Sequence, residues 1–159
     1  MMGTSWGRRA PYTRLKKRET PTTMILIIGC GRLGGHLAAR LDAAGQDVTV
    51  LDPDRRNLDA NLPRDFRGRV VQGIEIDNAV LMRAGIERAT ALVAVGRDES
   101  TNVMAADVAR RVFQVPRIVV RIDEPRLAEL YRQEGFDVVS PVLAGTLSVE
   151  RALERSEVT

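Results

Sequence analysis

The amino-acid sequence predicts an α/β fold in which helices cover both faces of one doubly wound parallel sheet. Three observations predict it. From Met24 onward, short runs rich in β-branched residues alternate with amphipathic segments, a glycine-rich turn joins the first run to the first such segment, and an aspartate ends the second run. This alternation is typical of parallel sheets, because a helical crossover returns the chain to the edge where the next strand begins. Residues 24–159 are therefore expected to form a single domain.

Six apolar runs are expected to form the strands of the sheet. Each run is shorter than a stable helix, and turn-forming or polar residues lie between the runs. The predicted strands are 24–28, 47–51, 69–72, 90–95, 117–122 and 137–139.

Turn and capping residues mark the ends of several helices between these strands. Gly45 and Gly85 stand where the helices that begin near residues 33 and 78 should end, because glycine adopts a positive φ without strain. Asp77 is expected to cap the second of these helices. Ser140-Pro141 predicts an N-cap followed by the first residue of a helix.

Apolar residues recur at helical spacing in the first helix, which predicts one buried and one solvent-facing side. Its buried side is expected to hold Leu33, Leu37, Ala38 and Leu41, and its exposed side His36, Arg40 and Asp42.

Composition restricts the class of protein. The chain has 159 residues, of which 44% are hydrophobic and 28% are charged, as in a globular domain. Its longest apolar runs, at 24–28 and 91–95, are far shorter than the roughly 20 residues of a membrane-spanning helix. One cysteine and one histidine exclude an intramolecular disulfide and a Cys/His zinc site. A reducing, cytoplasmic environment is expected, with no metal.

The positive charge is confined to the beginning of the chain. The net charge is +3, but six bases and one acid within residues 1–23 contribute +5, so residues 24–159 carry −2. Residues 1–23 have no apolar periodicity and are predicted to be a disordered basic tail. The tail either contacts an anionic lipid surface or nucleic acid, or it is merely solvated, and Met24 is an alternative translation start.

The glycine-rich turn has the pattern G-x-G-x-x-G, directly after the first strand. In such turns the first glycine permits the tight bend, the second lets a pyrophosphate approach the backbone, and the third lets the helix pack on the sheet. Free N–H groups at the helix N-terminus favour phosphate there. The turn predicts a Rossmann-like dinucleotide site that includes Gly29, Cys30, Gly31, Arg32, Leu33 and Gly34.

Asp52 ends the second strand, 21 residues after Gly31, where a carboxylate accepts hydrogen bonds from a ribose. It also repels a 2′-phosphate, which favours NAD or an adenosine nucleotide over NADP. Arg55 and Arg56 leave this preference open, because each can pair with a phosphate or be solvated. Cys30 is expected to be a small filler residue, since the chain offers no second cysteine for redox chemistry.

The residue types argue against catalysis. Residues 24–159 contain no lysine, which excludes a Tyr-x-x-x-Lys pair and a Schiff base, and the histidine is expected on the exposed side of the first helix. The six strand–helix units leave no length for a substrate domain. Binding without turnover is expected. A small NAD-dependent oxidoreductase and a redox sensor that binds nucleic acid remain the alternatives.

Residues 102–113 predict a helix that is apolar around most of its circumference. Leu127, Leu130 and Tyr131 on the next helix add to this apolar surface. One sheet face cannot cover such a helix. The helix either meets a partner subunit or lies centrally, with neighbours on both sides.

Several segments together resemble one family. They are MILIIGCGRLGGHLAARLDAAGQDVTVLD, VVQG followed by AVLMRAGIERATALVAV, RDESTN, and FQVPRIVVRI with the later YRQEGFDVVSP. Through these, residues 24–155 resemble the nucleotide-binding N-terminal domain of bacterial potassium-transport regulators, known as TrkA-N, KTN or RCK-N. The resemblance implies a cytoplasmic regulatory subunit that binds NAD(H) or ATP/ADP. Its implied partner is a potassium channel or transporter at the inner membrane face, with homo-oligomers expected and no nucleic acid.

The resemblance also implies nucleotide contacts beyond the glycine turn and Asp52. They fall near the base, after the fourth strand and at the end of the fifth, on Gly73, Ile74, Gly96, Arg97 and Arg121. Asp98, Glu99 and Asn102 belong to the same motif after the fourth strand. Both arginines stand at carboxyl ends of predicted strands, where ligands of open parallel sheets bind, or else they pair with nearby surface acids.

Two departures from the family pattern affect these expectations. The family usually has Gly-Asp and a small residue after its third strand, whereas Gly73 is followed here by Ile74-Glu75-Ile76. Contacts to the base are therefore expected to be apolar or to use the backbone only. The C-terminal subdomain of many family members is also missing. Three modes of action are therefore expected alternatives: the chain works as a dimer, pairs with a second gene product, or is a partial regulator.

Overall fold

A computed structural model describes residues 23–155, which form a six-stranded parallel sheet in the order β3-β2-β1-β4-β5-β6. The tail predicted for residues 1–23 lies outside the described residues, apart from Thr23. All five strand pairs are parallel, as predicted, and each predicted strand agrees with the observed one to within one residue at either end. The strands are β1 (Met24–Ile28), β2 (Asp47–Asp52), β3 (Arg69–Gln72), β4 (Ala89–Ala94), β5 (Arg117–Arg121) and β6 (Asp137–Val139).

Six α-helices and one 3₁₀ turn, Ile86–Arg88, connect and follow these strands in the described part of the chain. The helices are α1 (Arg32–Ala43), α2 (Arg55–Asn61), α3 (Asn78–Arg83), α4 (Glu99–Arg111), α5 (Pro125–Gln133) and α6 (Pro141–Arg155). Within residues 23–155, no helix combines the length and apolar composition that crossing a membrane requires.

The predicted turn and capping residues at the helix ends are confirmed. Gly45 and Gly85 adopt φ angles of 78° and 88° just after α1 and α3. Asp77 accepts hydrogen bonds from the first amides of α3, and the Ser140 hydroxyl accepts one from Leu143 N at 3.1 Å in the first turn of α6. The two glycines therefore end α1 and α3, and the two capping side chains begin α3 and α6, where the sequence predicts.

The sheet buries both of its faces. Leu26 and Ile28 of β1 pack into the cluster under α3, α4 and α5, and Ile27, between them, packs into the cluster under α1 and α2. Successive side chains of a strand point to opposite faces, so a strand buried on both faces must be apolar throughout. The chain winds outward from β1 to β3 and then returns to β4 beside β1. This reversal opens a crevice at the carboxyl ends of β1 and β4.

Two predictions for α1 are wrong. Leu33 was expected on the buried side but is 38% exposed, because the helix begins beyond the sheet edge. Asp42 was expected to meet solvent but is 9% exposed, because the segment before β3 covers the end of α1. Its carboxylate accepts a hydrogen bond from Arg67 N at 3.1 Å, and the Arg67 side chain donates to the Asp42 carbonyl oxygen at 2.8 Å.

The apolar circumference of α4 is covered mainly by neighbouring elements. Its alanines at 105, 106 and 109 are fully buried in the core. Tyr131, predicted to join an exposed apolar surface, is buried, and its hydroxyl donates to the Asp107 carboxylate at 2.9 Å. Met104, Val112 and Leu130 remain 49%, 57% and 50% exposed. The central position therefore accounts for most of this apolar surface, and assembly through the rest stays a prediction.

We expect Asp42→Ala to lower the free energy of unfolding by about 1–3 kcal/mol, because it leaves the Arg67 amide without its acceptor. Urea denaturation measures this difference. Asp47→Ala, at an exposed position at the start of β2, is the matched control and should change stability by less than about 0.5 kcal/mol. Equal losses in the two variants would contradict a structural role for the buried carboxylate.

Candidate functional site

The glycine turn between β1 and α1 is held by close backbone packing. Gly29 has a φ of 93°, and a Cβ added there would overlap the backbone of Gly96. A Cβ on Gly34 would overlap the carbonyl oxygen of Gly29. The fold itself therefore requires glycine at both positions.

Gly31 differs from these two glycines. Its φ of −74° and ψ of −166° suit any residue, and a Cβ added there would meet no protein atom within 4 Å. No described part of the protein requires glycine at this position. The space that a Cβ would fill opens into the crevice, where a ligand could come close to the backbone.

The N-terminus of α1 has no side-chain cap, unlike the other described helices. Gly31 is its N-cap residue, and its first turn contains no acidic side chain. The uncapped N–H groups point toward the crevice side and carry the positive end of the helix dipole. The other five helices are capped by side chains of Asp54, Asp77, Asp98, Glu124 and Ser140. The N-terminus of α1 is thus available to an anion.

A crevice of about 550 Å³ lies between this helix N-terminus and the carboxyl ends of the central strands. It brings together three predicted parts of the site that are far apart in sequence: the glycine turn, Arg97 after β4 and Arg121 at the end of β5. Its lining consists of Gly31, Arg32, Leu33, Asn57, Asn61, Val95, Arg97 and Arg121.

Asp52 lies beneath the glycine turn and is 4% exposed. Its carboxylate accepts hydrogen bonds from Cys30 N at 2.7 Å, from Asp54 N at 2.8 Å and from the Asn57 amide at 3.1 Å. The Asn57 amide also lies 3.3 Å from the second carboxylate oxygen, so four contacts fill the roughly four acceptor positions of the carboxylate. A ribose hydroxyl binds Asp52 only by displacing or sharing one of these contacts. The first contribution of Asp52 is nevertheless structural, because it ties the turn to β2.

Two asparagines of α2 belong to the site and were not predicted. Asn57 donates to Asp52, as described, and Asn61 donates to the Cys30 carbonyl oxygen at 3.0 Å. Both line the crevice. Their spacing of four residues places them on one side of a helix. This spacing is the sequence pattern from which their shared position could have been predicted.

The three arginines of the crevice differ in their pairing. Arg121 forms an ion pair with Asp123 at 2.9 Å, and both side chains are 25% exposed. The expectation that such arginines pair with nearby acids is therefore correct for Arg121. Within residues 23–155, neither Arg32 nor Arg97 forms an ion pair, and both are exposed. Two unpaired cations thus flank the uncapped helix end.

Asn102 holds the floor of the crevice together. It is 1% exposed, accepts a hydrogen bond from Gly96 N at 2.8 Å, and donates to the carbonyl oxygens of Gly96 and Arg121 at 3.0 and 3.3 Å. Asp98 caps α4, and the hydrogen bond from Thr101 N lowers its pKa. Glu99 accepts from Glu124 N at 3.3 Å. In this structure, the motif after β4 therefore links α4 to the ends of β4 and β5.

The turn after β3 holds Gly73 and Ile74, whose contacts to a nucleotide base stay a prediction. Gly73 and Ile74 do not line the crevice in the described structure, and Ile74 is 63% exposed. The neighbouring Glu75 instead turns a carboxylate oxygen toward Gly96, 3.7 Å from the position that a Gly96 Cβ would occupy. Glu75 was not predicted, because the family resemblance points to Gly73 and Ile74 in this turn.

Burial and like charges act on two titratable groups here. Burial, followed by the negative charges of Asp52 and Asp98, raises the pKa of Glu75 to about 7. Burial and the charge of Asp52 raise the pKa of the Cys30 thiol to about 11. Cys30 is therefore a protonated, buried filler, in agreement with the sequence-based interpretation.

The sheet order, the glycine turn and the crevice at the strand reversal define a doubly wound α/β domain of the dinucleotide-binding class. The family model of the TrkA-N domain matches residues 25–141, and the chain belongs to this family. The predicted resemblance is thereby confirmed.

Relatives of known sequence agree with this assignment. The Trk system potassium uptake protein TrkA of Streptomyces coelicolor is 42% identical over 118 residues, which cover 74% of this chain and 52% of that protein. Its counterpart in Vibrio alginolyticus is 34% identical over 137 residues, which cover 82% of this chain and 30% of that protein. The chain thus spans about half, or less, of the length of these relatives.

Solved structures show the same fold. The GsuK RCK domain superposes with a TM-score of 0.73 at 29% identity and covers 86% of this chain and 29% of that one. The GsuK channel bound to NAD superposes with a TM-score of 0.72 at 29% identity, and the match covers 85% of this chain and 24% of the channel chain. GsuK bound to ADP gives the same TM-score and identity, and the match covers 87% of this chain and 35% of the GsuK chain.

We expect Gly34→Ala to destabilise the protein strongly and Gly31→Ala to leave its stability nearly unchanged. The first forces a methyl group into the Gly29 carbonyl oxygen and should cost about 3 kcal/mol of unfolding free energy or prevent folding. The second meets no protein atom and should change stability by less than about 1 kcal/mol. Thermal and urea denaturation compare them. A Gly31→Ala variant as unstable as Gly34→Ala would contradict the distinction.

We expect Glu75→Gln to stabilise the protein at high pH. The folded-state pKa of Glu75 lies above the ordinary value of 4.5, so its contribution to stability is present below about pH 4.5 and is lost as the pH rises to about 7. The neutral variant avoids this loss and should be more stable above pH 7 by about 1 kcal/mol, allowing for solvent screening of a half-exposed group. Urea denaturation from pH 4.5 to 8 measures it, and a pH-independent difference would argue against the like-charge cluster.

Proposed function

We propose that this chain binds NAD(H) or an adenosine nucleotide such as ADP or ATP in the crevice. The observation that carries the proposal is the set of uncapped amides at the start of α1, next to a glycine that no described part of the fold requires. Arg32 and Arg97 supply unpaired positive charge on the same crevice. Such a site fits a pyrophosphate, which accepts hydrogen bonds from backbone amides and arginines together.

The site residues proposed for the ligand fall into three groups. The glycine turn, with Arg32 and Leu33, binds the phosphates, and Asp52 receives a ribose hydroxyl. Gly96, Arg97 and Arg121 border the ligand after β4 and at the end of β5, and the two arginines also reach its phosphates. Gly73 and Ile74 are retained as candidates for the base, with Glu75 added beside them. NAD and ADP are both supported as ligand classes by the GsuK structures that bind them.

We also propose that the chain is a regulatory subunit without catalytic activity. Arginine, asparagine, glycine and aliphatic residues line the crevice, and none of these residue types is an ordinary general base at neutral pH. Glu75, with a pKa of about 7, lies beside the crevice and not among the residues that line it. Relatives named as potassium uptake proteins support a membrane potassium channel or transporter as the partner. The proposed location is the cytoplasmic side of the membrane, as a dimer or higher homo-oligomer.

The crevice has two structural connections through which a bound nucleotide can act. The first is Asn102, which joins the Gly96 backbone, and hence the crevice floor, to α4. The second starts at Arg121, whose partner Asp123 accepts a hydrogen bond from the Ser140 hydroxyl at 2.7 Å, at the start of α6. A ligand phosphate that attracts Arg121 weakens its hold on Asp123 and so changes the anchoring of α6.

The second connection matters because α6 has little else to hold it. None of its residues is buried, and Val142, Leu143 and Leu147 are 59%, 54% and 42% exposed. A helix anchored mainly at its first turn changes direction at low energetic cost. The ligand shifts such an equilibrium only by its differential affinity for the two arrangements.

We expect wild-type protein to bind NAD or ADP with nanomolar to micromolar affinity in calorimetric titration, and Gly31→Ala to weaken binding at least about tenfold, since its methyl group occupies the phosphate space. Gly145→Ala in α6, where a Cβ also meets no protein atom, is the control and should bind like the wild type. Undiminished binding by Gly31→Ala would contradict the site.

We expect Arg121→Gln to weaken the same ligand about tenfold, because it removes a charge-assisted hydrogen bond to phosphate. Arg117→Gln is its matched control, since Arg117 lies at the other end of β5 and pairs with Asp137. The same calorimetric titration compares the two. Equal weakening by both substitutions would indicate a general charge effect and not a contact in the crevice.

A further inference from the structure

Glu75 occupies an unusual position beside the crevice. It lies in the turn between β3 and α3, and one of its carboxylate oxygens lies against Gly96. The residues on either side of Gly96, Val95 and Arg97, line the crevice. Glu75 does not itself line the crevice, but only the Gly96 backbone, between two lining residues, separates its carboxylate from them.

The surroundings of Glu75 disfavour its negative charge. No side chain or backbone group within residues 23–155 donates a hydrogen bond or an ion pair to its carboxylate. The charged groups that act on it from adjoining elements are Asp52, at the end of β2, and Asp98, at the start of α4, and both are acidic. Glu75 is thus a half-buried carboxylate without a partner, close to two like charges.

We propose that Glu75 takes up a proton when a phosphate-bearing nucleotide enters the crevice, so that this residue makes ligand affinity depend on pH and on ligand charge. The inference rests on the proposed function, because it needs a nucleotide in this crevice. A pyrophosphate brings further negative charge toward the carboxylate and displaces water from it. Both effects favour the protonated form of Glu75.

The direction in which ligand affinity changes with pH follows from the pKa of Glu75. The pKa of Glu75 in the free protein is raised to about 7, so the group is partly ionised at neutral pH. A ligand that raises this pKa further binds more tightly at low pH and more weakly as the pH rises through 7. A neutral nucleoside lacks the phosphate charge and causes less proton uptake.

The experiment titrates NAD into the protein at pH 6, 7 and 8, because the phosphates and bases of NAD do not titrate in this range. We expect the Kd to rise about fivefold to tenfold from pH 6 to pH 8, with uptake of about half a proton at pH 7. Calorimetry in buffers of different ionisation enthalpy counts the protons. Adenosine should show a smaller pH dependence than NAD.

Two variants separate Glu75 from other groups. Glu75→Gln should bind NAD without pH dependence, and as tightly at pH 8 as the wild type does at pH 6. His36→Gln is the control, because His36 is the single histidine of the chain and lies exposed on α1, outside the crevice lining. This control should keep the wild-type pH dependence.

The outcomes distinguish the inference from the proposed function. Binding of NAD that is independent of pH in the wild type, or equally dependent on pH in Glu75→Gln, overturns the inference and leaves nucleotide binding intact. Binding that strengthens as the pH rises also overturns it, because Glu75 would then accept a hydrogen bond from the ligand as a carboxylate. Failure of NAD, ADP and ATP to bind at any of these pH values overturns both.

Discussion

The close approach of the glycine turn to the beginning of the β4–α4 connection is the constraint on which the rest of the structure depends. Gly29 and Gly96 touch backbone to backbone, and Gly34 packs on the carbonyl oxygen of Gly29. The buried carboxylate of Asp52 fixes the turn from below by accepting from Cys30 N. These contacts aim the N-terminus of α1 over the carboxyl ends of the central strands, and the crevice exists because of that placement.

Charges of both signs act at the crevice. Arg32 and Arg97 supply positive charge without an ion-pair partner in the described residues, and Asp52 and Asp98 supply the negative charge that acts on Glu75. An anion that enters gains from the first group and is opposed by the second. This opposition limits affinity, and it makes affinity responsive to whatever neutralises a carboxylate.

The sequence predicted the architecture well because its signals are local. Strand bounds, the caps at Asp77 and Ser140, and the glycine turn all follow from neighbouring residues. The failures involve contacts between distant segments. Asp42 is buried by a segment 25 residues further along, and Glu75, after β3, lies near Gly96, which follows β4. Asn61 reaches the Cys30 carbonyl oxygen for the same kind of reason, since α2 packs beside the turn.

The sequence by itself determined the fold class, the order of the elements and the family, because hydrophobic periodicity, turn residues and family motifs depend on residues that are close together in the chain. Only the tertiary structure decided which glycines the fold requires, that Arg121 is already paired, and that a carboxylate lies at position 75 beside the crevice. Each of these depends on distances between residues that are remote in sequence. Such distances are set by how helices and strands pack, which no local pattern specifies.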